Sequence, residues 1–548
     1  MTFTRGGLGP LQDAVEKTLA MLTRDHWAER LWAKDGTLWT TPSAPAGAAE
    51  EIAYWLGWLD VPASMIGRSA EFDVARAEMG SRYEHVVLCG MGGSSLCPEV
   101  FRNTFGRVDG FPELIVLDST DPSTVAAVEA RISLDRTLFL IASKSGGTLE
   151  TLSHYRYFRE RARAAGVPNH GRNFIAITDQ GSGLDRLAGE EDFGFVFRNP
   201  ADIGGRYSAL SYFGMVPAAL MGLDQAQVLR SAISMSAGCR EKDAAANPGL
   251  ALGAVLGVAA ASGRDKCTIV CSPAVATLGT WLEQLLAEST GKHGTGIVPV
   301  PGEPLGDPSG YGADRLFVYV RSAGPDPAQD AAVKALRDAG QPVYNIEIDG
   351  PQDLGGEFLR WEVATAVAGS ILAINPFDQP NVQESKDNTK AVLDRYLETG
   401  DFGVDLAEDP LAGVKALVDG IKPGDYFAVV AYTEPGPEVD AALESLRTAV
   451  RDRFGVATTA GYGPRYLHST GQLHKGGPNS GVYLILSDER GDDLPIPEAR
   501  FGFKTLISAQ WRGDLKSLRD HDRRVAQMTL GADRVSTIKQ VSDLVEEI

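Results

Sequence analysis

The sequence predicts an α/β protein built on parallel sheets covered by helices. Two observations carry that class. Short β-branched or aromatic runs (HVVLCG, ELIVLD, TLFLIAS, FIAITD, FGFVF) are separated by segments long enough for parallel crossovers. A second series, KCTIVCSPA, GIVPV, RLFVYVR and PVYNIEI, repeats the pattern farther along the chain.

The elements follow in order. Residues 1–75 are rich in Trp, Leu, Ala and Glu, with helical spacing in LQDAVEKTLAMLTRDHWAERLW and EEIAYWLGWLD. They form a helical lead-in. Residues 76–225 hold the first strand series, and residues 226–400 the second. The second ends on EFLRWEVATAVAGSILAI, whose apolar positions nearly encircle it, the mark of a helix buried between layers. Residues 401–548 form a smaller α/β unit containing YFAVVAYTE, VYLILSDE and long helices. Loops at 195–206 and 301–313 are rich in Gly, Pro and Asp and are expected near a site.

Bulk properties narrow the function. The chain has 548 residues, 43% hydrophobic and 23% charged, with a formal net charge of −20. Nucleic acid is excluded as a main partner, because phosphate backbones demand clustered Lys and Arg. The five cysteines are odd in number and form no CxxC, which fits buried thiols in a reducing cytoplasm. No uncharged apolar run reaches about 18 residues, so no membrane span is expected. The N-terminus has no apolar signal core.

The densest chemistry lies in Ser143–Thr151, SKSGGTLET, between a strand and a helix. A helix N-terminus offers unpaired N–H groups and partial positive charge. Glycines let the backbone approach a ligand, while hydroxyls and one ammonium complete an anion cradle. Capping the helix needs only one hydroxyl, so the cluster predicts a phosphate site. GMGGSS (Gly90–Ser95) is a second glycine turn after a strand, with Ser94 and Ser95 at the helix start. It is neither a Walker A loop nor a complete dinucleotide fingerprint. Two such turns can converge at the carboxyl edge of one parallel sheet.

An acid–base set is also legible. Gln284 and Glu288 are four apart and share a helix face. Arg206 follows two glycines and is placed to stabilise an oxyanion. Gln379 ends a loop, and Lys386 lies about two helical turns beyond it. HSTGQLHKGGP carries His468 and His474. Their spacing suits no helical metal site, and neither HExxH nor a cysteine cluster occurs, so no metal is expected.

Together these motifs resemble the phosphoglucose isomerase family. GMGGSS, SKSGGTLET, GGRYSALS, QLLAESTGK, FDQPNVQESK and HSTGQL are similar to family motifs, over about residues 80–390 plus a patch near 468. The likeness is greatest to the isomerase half of bifunctional transaldolase/phosphoglucose isomerases, without the transaldolase half. The resemblance implies two SIS-type sandwich domains and a cytoplasmic, cofactor-free aldose–ketose isomerase. It implies interconversion of glucose 6-phosphate and fructose 6-phosphate through a cis-enediolate. Ser94, Ser143, Lys144, Ser145 and Thr148 would hold phosphate. Glu288 would move the proton, Arg206 would stabilise the enediolate, and His468 and Lys386 would assist ring opening. Gln284 and Gln379 would position substrate. The family's histidine precedes the FDQ helix and comes from the neighbouring subunit, so a homodimer is implied. Here His468 follows that helix, which leaves His474 as its rival. A dual phosphoglucose/phosphomannose isomerase and a non-catalytic SIS-type sensor are the alternative readings.

Overall fold

The computed structural model describes residues 7–41, 44–79, 82–324 and 326–548. Its described strands form three separate parallel sheets. The first contains β1 (His85–Gly90), β2 (Glu113–Leu117), β3 (Thr137–Ala142), β4 (Phe174–Asp179) and β5 (Phe195–Asn199), in the order β2-β1-β3-β4-β5. Every pairing is parallel. β3 is buried at all of its positions, which explains why TLFLIA is apolar without alternation.

The strand order matters for function. From β1 the chain crosses to β2 on one side and then returns to β3 on the other. The loops leaving β1 and β3 are therefore neighbours at the carboxyl edge, with Gly90 opposite Ala142 in the register. This is the topological switch point at which open α/β sheets bind ligands. Both glycine turns leave the sheet there.

The second sheet orders β6 (Lys266–Cys271), β7 (Val298–Pro301), β8 (Arg315–Ser322) and β9 (Val343–Ile348) as β7-β6-β8-β9. The helix Leu354–Ile371 is buried from Leu354 to Gly369 and packs on helices Gln225–Gly238 and Pro248–Ala261. The amino-terminal helices join the same core through Leu11, Val15, Leu19 and Trp27.

The third sheet orders β10 (Tyr426–Tyr432), β11 (Ala457–Tyr462), β12 (Gly481–Ser487) and β13 (Arg524–Thr529) as β11-β10-β12-β13. One face packs on the second unit, where Tyr426, Val430 and Ile485 meet Ala287, Val298 and Val300. The helix Phe503–Asp520 carries two buried stripes. Phe503, Leu506 and Ala509 join the core of the first sheet with Phe139 and Phe158. Ile507, Trp511 and Leu515 join the core of the third. This helix therefore fixes the third sheet against the first.

The two loops expected near a site behave differently. Residues 195–199 are strand β5, and the segment reaches the site beyond it, at Ala201 and at the turn Gly205–Tyr207. The 301–313 loop serves another purpose. Its Glu303 accepts from the Thr458 N–H and hydroxyl, both at 2.9 Å, and pairs with Arg315 at 3.0 Å. Both charged side chains are fully buried, so each needs the other. The loop joins the second sheet to the third.

Candidate active site

The hydroxyl-rich turn of residues 143–148, the candidate phosphate turn, follows β3. Thr148 occupies the N-cap position of helix Leu149–Ala164, yet its side chain makes no capping hydrogen bond. Its hydroxyl instead shares a hydrogen bond with the Ser143 hydroxyl at 2.8 Å. The hydroxyl cluster thus does not serve to cap the helix. Ser145 Oγ accepts from the Gly147 N–H at 3.3 Å, closing the turn locally. Lys144 is engaged elsewhere. Its ammonium pairs with Asp179, donates to the Ala201 carbonyl at 3.1 Å and lies 5.4 Å from the Trp55 ring centre. It anchors the turn to the end of β4.

The glycine turn after β1 is built for close approach. Gly92 has φ +56°, and a Cβ there would stand 2.6 Å from the His468 carbonyl oxygen and 2.9 Å from Gln284 Nε2. A Cβ on Gly93 would fall 2.1 Å from the Gly205 carbonyl oxygen. Side chains are excluded because other site segments fill their space. Ser94 ends this short turn and is partly exposed.

The candidate acid–base residues converge from distant segments. Arg206 is only 2% exposed. Its Nε donates to Ser289 Oγ at 2.8 Å, and its Nη1 to Gln379 Oε1 at 2.9 Å. Its Nη2 donates to the carbonyls of Pro376 and Asp378 at 2.7 and 2.8 Å. So fixed, Nη1 stands 3.3 Å from Glu288 Oε1. Glu288 is near the end of helix Leu278–Thr290 and is 13% exposed. Gln284, one turn earlier, donates to Glu288 Oε2 at 3.0 Å and to the His468 carbonyl at 2.8 Å. Lys292 secures the FDQ loop through Asn375 and Asp378. Burial, with Arg206 nearby, pushes its ammonium down to about 8.

His468 joins the two halves. Its carbonyl meets Gln284, while its ring Nε2 lies 3.0 Å from Glu150 Oε1, two residues beyond Thr148. Burial drives the Glu150 carboxyl upward, but the charge and hydrogen bond of His468 outweigh it and hold the group at about 2. A cavity of about 380 Å³ opens here, lined by Thr148, Glu150, Lys386, His468 and Gln510. That volume suits a small ligand. His468 reaches the site on the turn after β11 of the same chain, so no second subunit is needed to supply it.

The rival histidine is elsewhere. The buried His474 ring packs against Tyr426, Tyr466 and Tyr483, and burial keeps its proton affinity well below the usual range. It does not line the cavity that His468 lines. Sequence reasoning assigned no role to Glu150, Ser289 or Gln510. Glu150 lay inside the SKSGGTLET motif and Ser289 directly after Glu288, so position within a motif was the available signal. Gln510 offered none.

Comparison with known proteins bears on the family and the fold. The family model described as phosphoglucose isomerase matches residues 69–297. The glucose-6-phosphate isomerase of Rubrobacter xylanophilus is 30% identical over 398 residues, covering 62% of this chain and 89% of that one. That of Carboxydothermus hydrogenoformans is 26% identical over 396 residues, covering 62% and 85%. Among solved structures, a glucose-6-phosphate isomerase from Chlamydia trachomatis superposes with a TM-score of 0.56 at 18% identity, over 70% of this chain and 86% of that one. A hypothetical protein from Thermus thermophilus gives 0.58 at 24% identity, over 69% and 96%. These two structures share the fold.

Proposed function

The chain belongs to the phosphoglucose isomerase family, and on that premise we propose how its residues interconvert glucose 6-phosphate and fructose 6-phosphate. The observation that carries the reading is the double contact of His468. One residue touches the Gln284–Glu288–Arg206 set through its backbone and the phosphate-turn side through its ring.

The phosphate sits at the N-terminus of helix 149–164, held by Ser143, Ser145, Thr148 and Ser94, with Lys144 acting through the loop it anchors. His468, oriented by Glu150 and assisted by Lys386, opens the ring. The C1–O5 bond breaks, O5 gains a proton and the C1 hydroxyl loses one. Glu288 then takes the C2 proton and returns it to C1, while a proton passes from O2 to O1. Atoms and charge balance without a redox partner. Arg206 faces the negative charge that builds up on the enediolate. Its other donors are already satisfied, so little reorganisation is needed at the moment of reaction. Gln284 and Gln379 hold Glu288 and Arg206 in register.

A phosphate sensor would need neither Glu288 nor Arg206, and their close pairing supports an enzyme. Mannose 6-phosphate in a coupled assay separates a dual isomerase from a single one. The reading carries a cytoplasmic location and a homodimer with it, although the histidine does not require a second subunit. The decisive experiment is Glu288→Gln. It should still bind fructose 6-phosphate but lose turnover by about 10²–10⁴-fold. Unchanged turnover removes Glu288 from the proton transfer.

A further inference from the structure

We infer that Gln510, on the helix Phe503–Asp520 of the carboxyl-terminal unit, is a positioning residue for ring opening. It acts through the Glu150–His468 pair, and the inference rests on the ring-opening role proposed for that pair.

The geometry is specific. Gln510 is 2% exposed and Glu150 7%. Gln510 Nε2 donates to Glu150 Oε1 at 2.8 Å, the same oxygen that His468 Nε2 approaches at 3.0 Å. The amide orientation is dictated from behind. The Thr120 hydroxyl donates to Gln510 Oε1 at 2.5 Å, which turns the NH₂ toward the carboxylate. Thr120 lies just beyond β2, Glu150 in the first turn after the phosphate loop, and Gln510 in a helix 360 residues farther on. One hydrogen-bonded line thus crosses from the first unit into the third and ends on His468.

The charge balance around Glu150 shows why an amide stands there. His154, one turn along the same helix, is pushed down to about 4 by burial and is neutral near pH 7. Tyr432, at the end of β10, is pushed well up by burial and is neutral as well. Lys386 borders the cavity from the FDQ helix. The carboxylate of Glu150 therefore faces the His468 ring directly, at 3.0 Å. A neutral donor at Gln510 fixes Glu150 without competing for that partner. A carboxylate there would place two acids around one imidazole, and two such groups cannot both ionise cheaply.

The test compares Gln510→Met, Gln510→Glu and His468→Ala, using pH profiles of kcat and KM on glucose 6-phosphate. Gln510→Met keeps the volume and removes the donor. It should lower kcat about tenfold at every pH, the order of one lost hydrogen bond to a charged group, with KM little changed. Gln510→Glu should behave differently. At low pH its protonated carboxyl replaces the amide as donor and kcat approaches that of the unmodified protein. As pH rises and the shared proton leaves, a new descending limb should appear. Wild-type profiles in both variants, or an equal loss at every pH in both, would overturn the inference. If Gln510→Met does not fold, the limb in Gln510→Glu still decides, because that variant is compared with itself across pH. His468→Ala separates the two levels. Full turnover in that variant sinks the ring-opening assignment, whereas lost turnover with unaffected Gln510 variants sinks only the role of Gln510.

Discussion

Gly92→Ala offers a direct test of how the site is assembled. The new Cβ would stand 2.6 Å from the His468 carbonyl oxygen and 2.9 Å from Gln284 Nε2, at a backbone φ of +56°. The left-handed conformation alone costs about 1–2 kcal/mol for a residue with a side chain. Ordinary contact requires roughly 3.4 Å, so the His468 backbone must retreat by on the order of 0.8 Å. That retreat pulls the carbonyl from Gln284 and shifts the imidazole relative to Glu150. A displacement of about 1 Å at a positioned group can cost on the order of 10²-fold in rate. A coupled assay on fructose 6-phosphate should therefore show kcat reduced by about that factor. Thermal unfolding should fall by only a few degrees, as expected for about 1–2 kcal/mol in a large chain. Gly189→Ala is the matched control. It lies in helix Gly183–Glu190 with open space around its added Cβ, and should leave activity intact while slightly raising stability. A Gly92→Ala enzyme with wild-type kcat would refute the idea that the glycine exists to admit His468.

Two further outcomes follow from the charges. The Glu150 carboxyl is held at about 2 rather than 4.5, a difference on the order of 3 kcal/mol in favour of the folded state. Because the folded-state value is depressed, this stabilisation is fully present above pH 4.5 and is lost as pH falls toward 2. Glu150→Gln should thus unfold at lower temperature than wild type at pH 7, with the gap narrowing as samples are acidified below 4.5; a gap independent of pH would contradict the pairing with His468. Lys144→Ala frees the phosphate turn from Asp179, and steady-state kinetics should show KM raised on the order of tenfold, about 1.4 kcal/mol, with kcat largely kept. An unaltered KM would count against the turn as the phosphate site.

Much of the fold was legible because buried parallel strands are short continuous apolar runs, as in TLFLIA and KCTIVC. The turns after β1 and β3 were legible through their glycines and hydroxyls, and the Gln284–Glu288 pair through its four-residue spacing. The remainder depends on long-range pairing. His468 meets Glu150 across 318 residues, and no local pattern in either segment announces the other. Gln510 is one amide in an amphipathic helix whose second buried stripe only the folded chain reveals. The 301–313 loop looked like site material because Gly, Pro and Asp mark turns of any purpose. Its buried Glu303–Arg315 pair shows that the purpose here is to dock two sheets.

Because the imidazole arrives on the same polypeptide as Glu288, defects cannot be shared out between copies. Mixing chains that lack the glutamate with chains that lack the histidine should restore nothing, since each molecule can be repaired only from within.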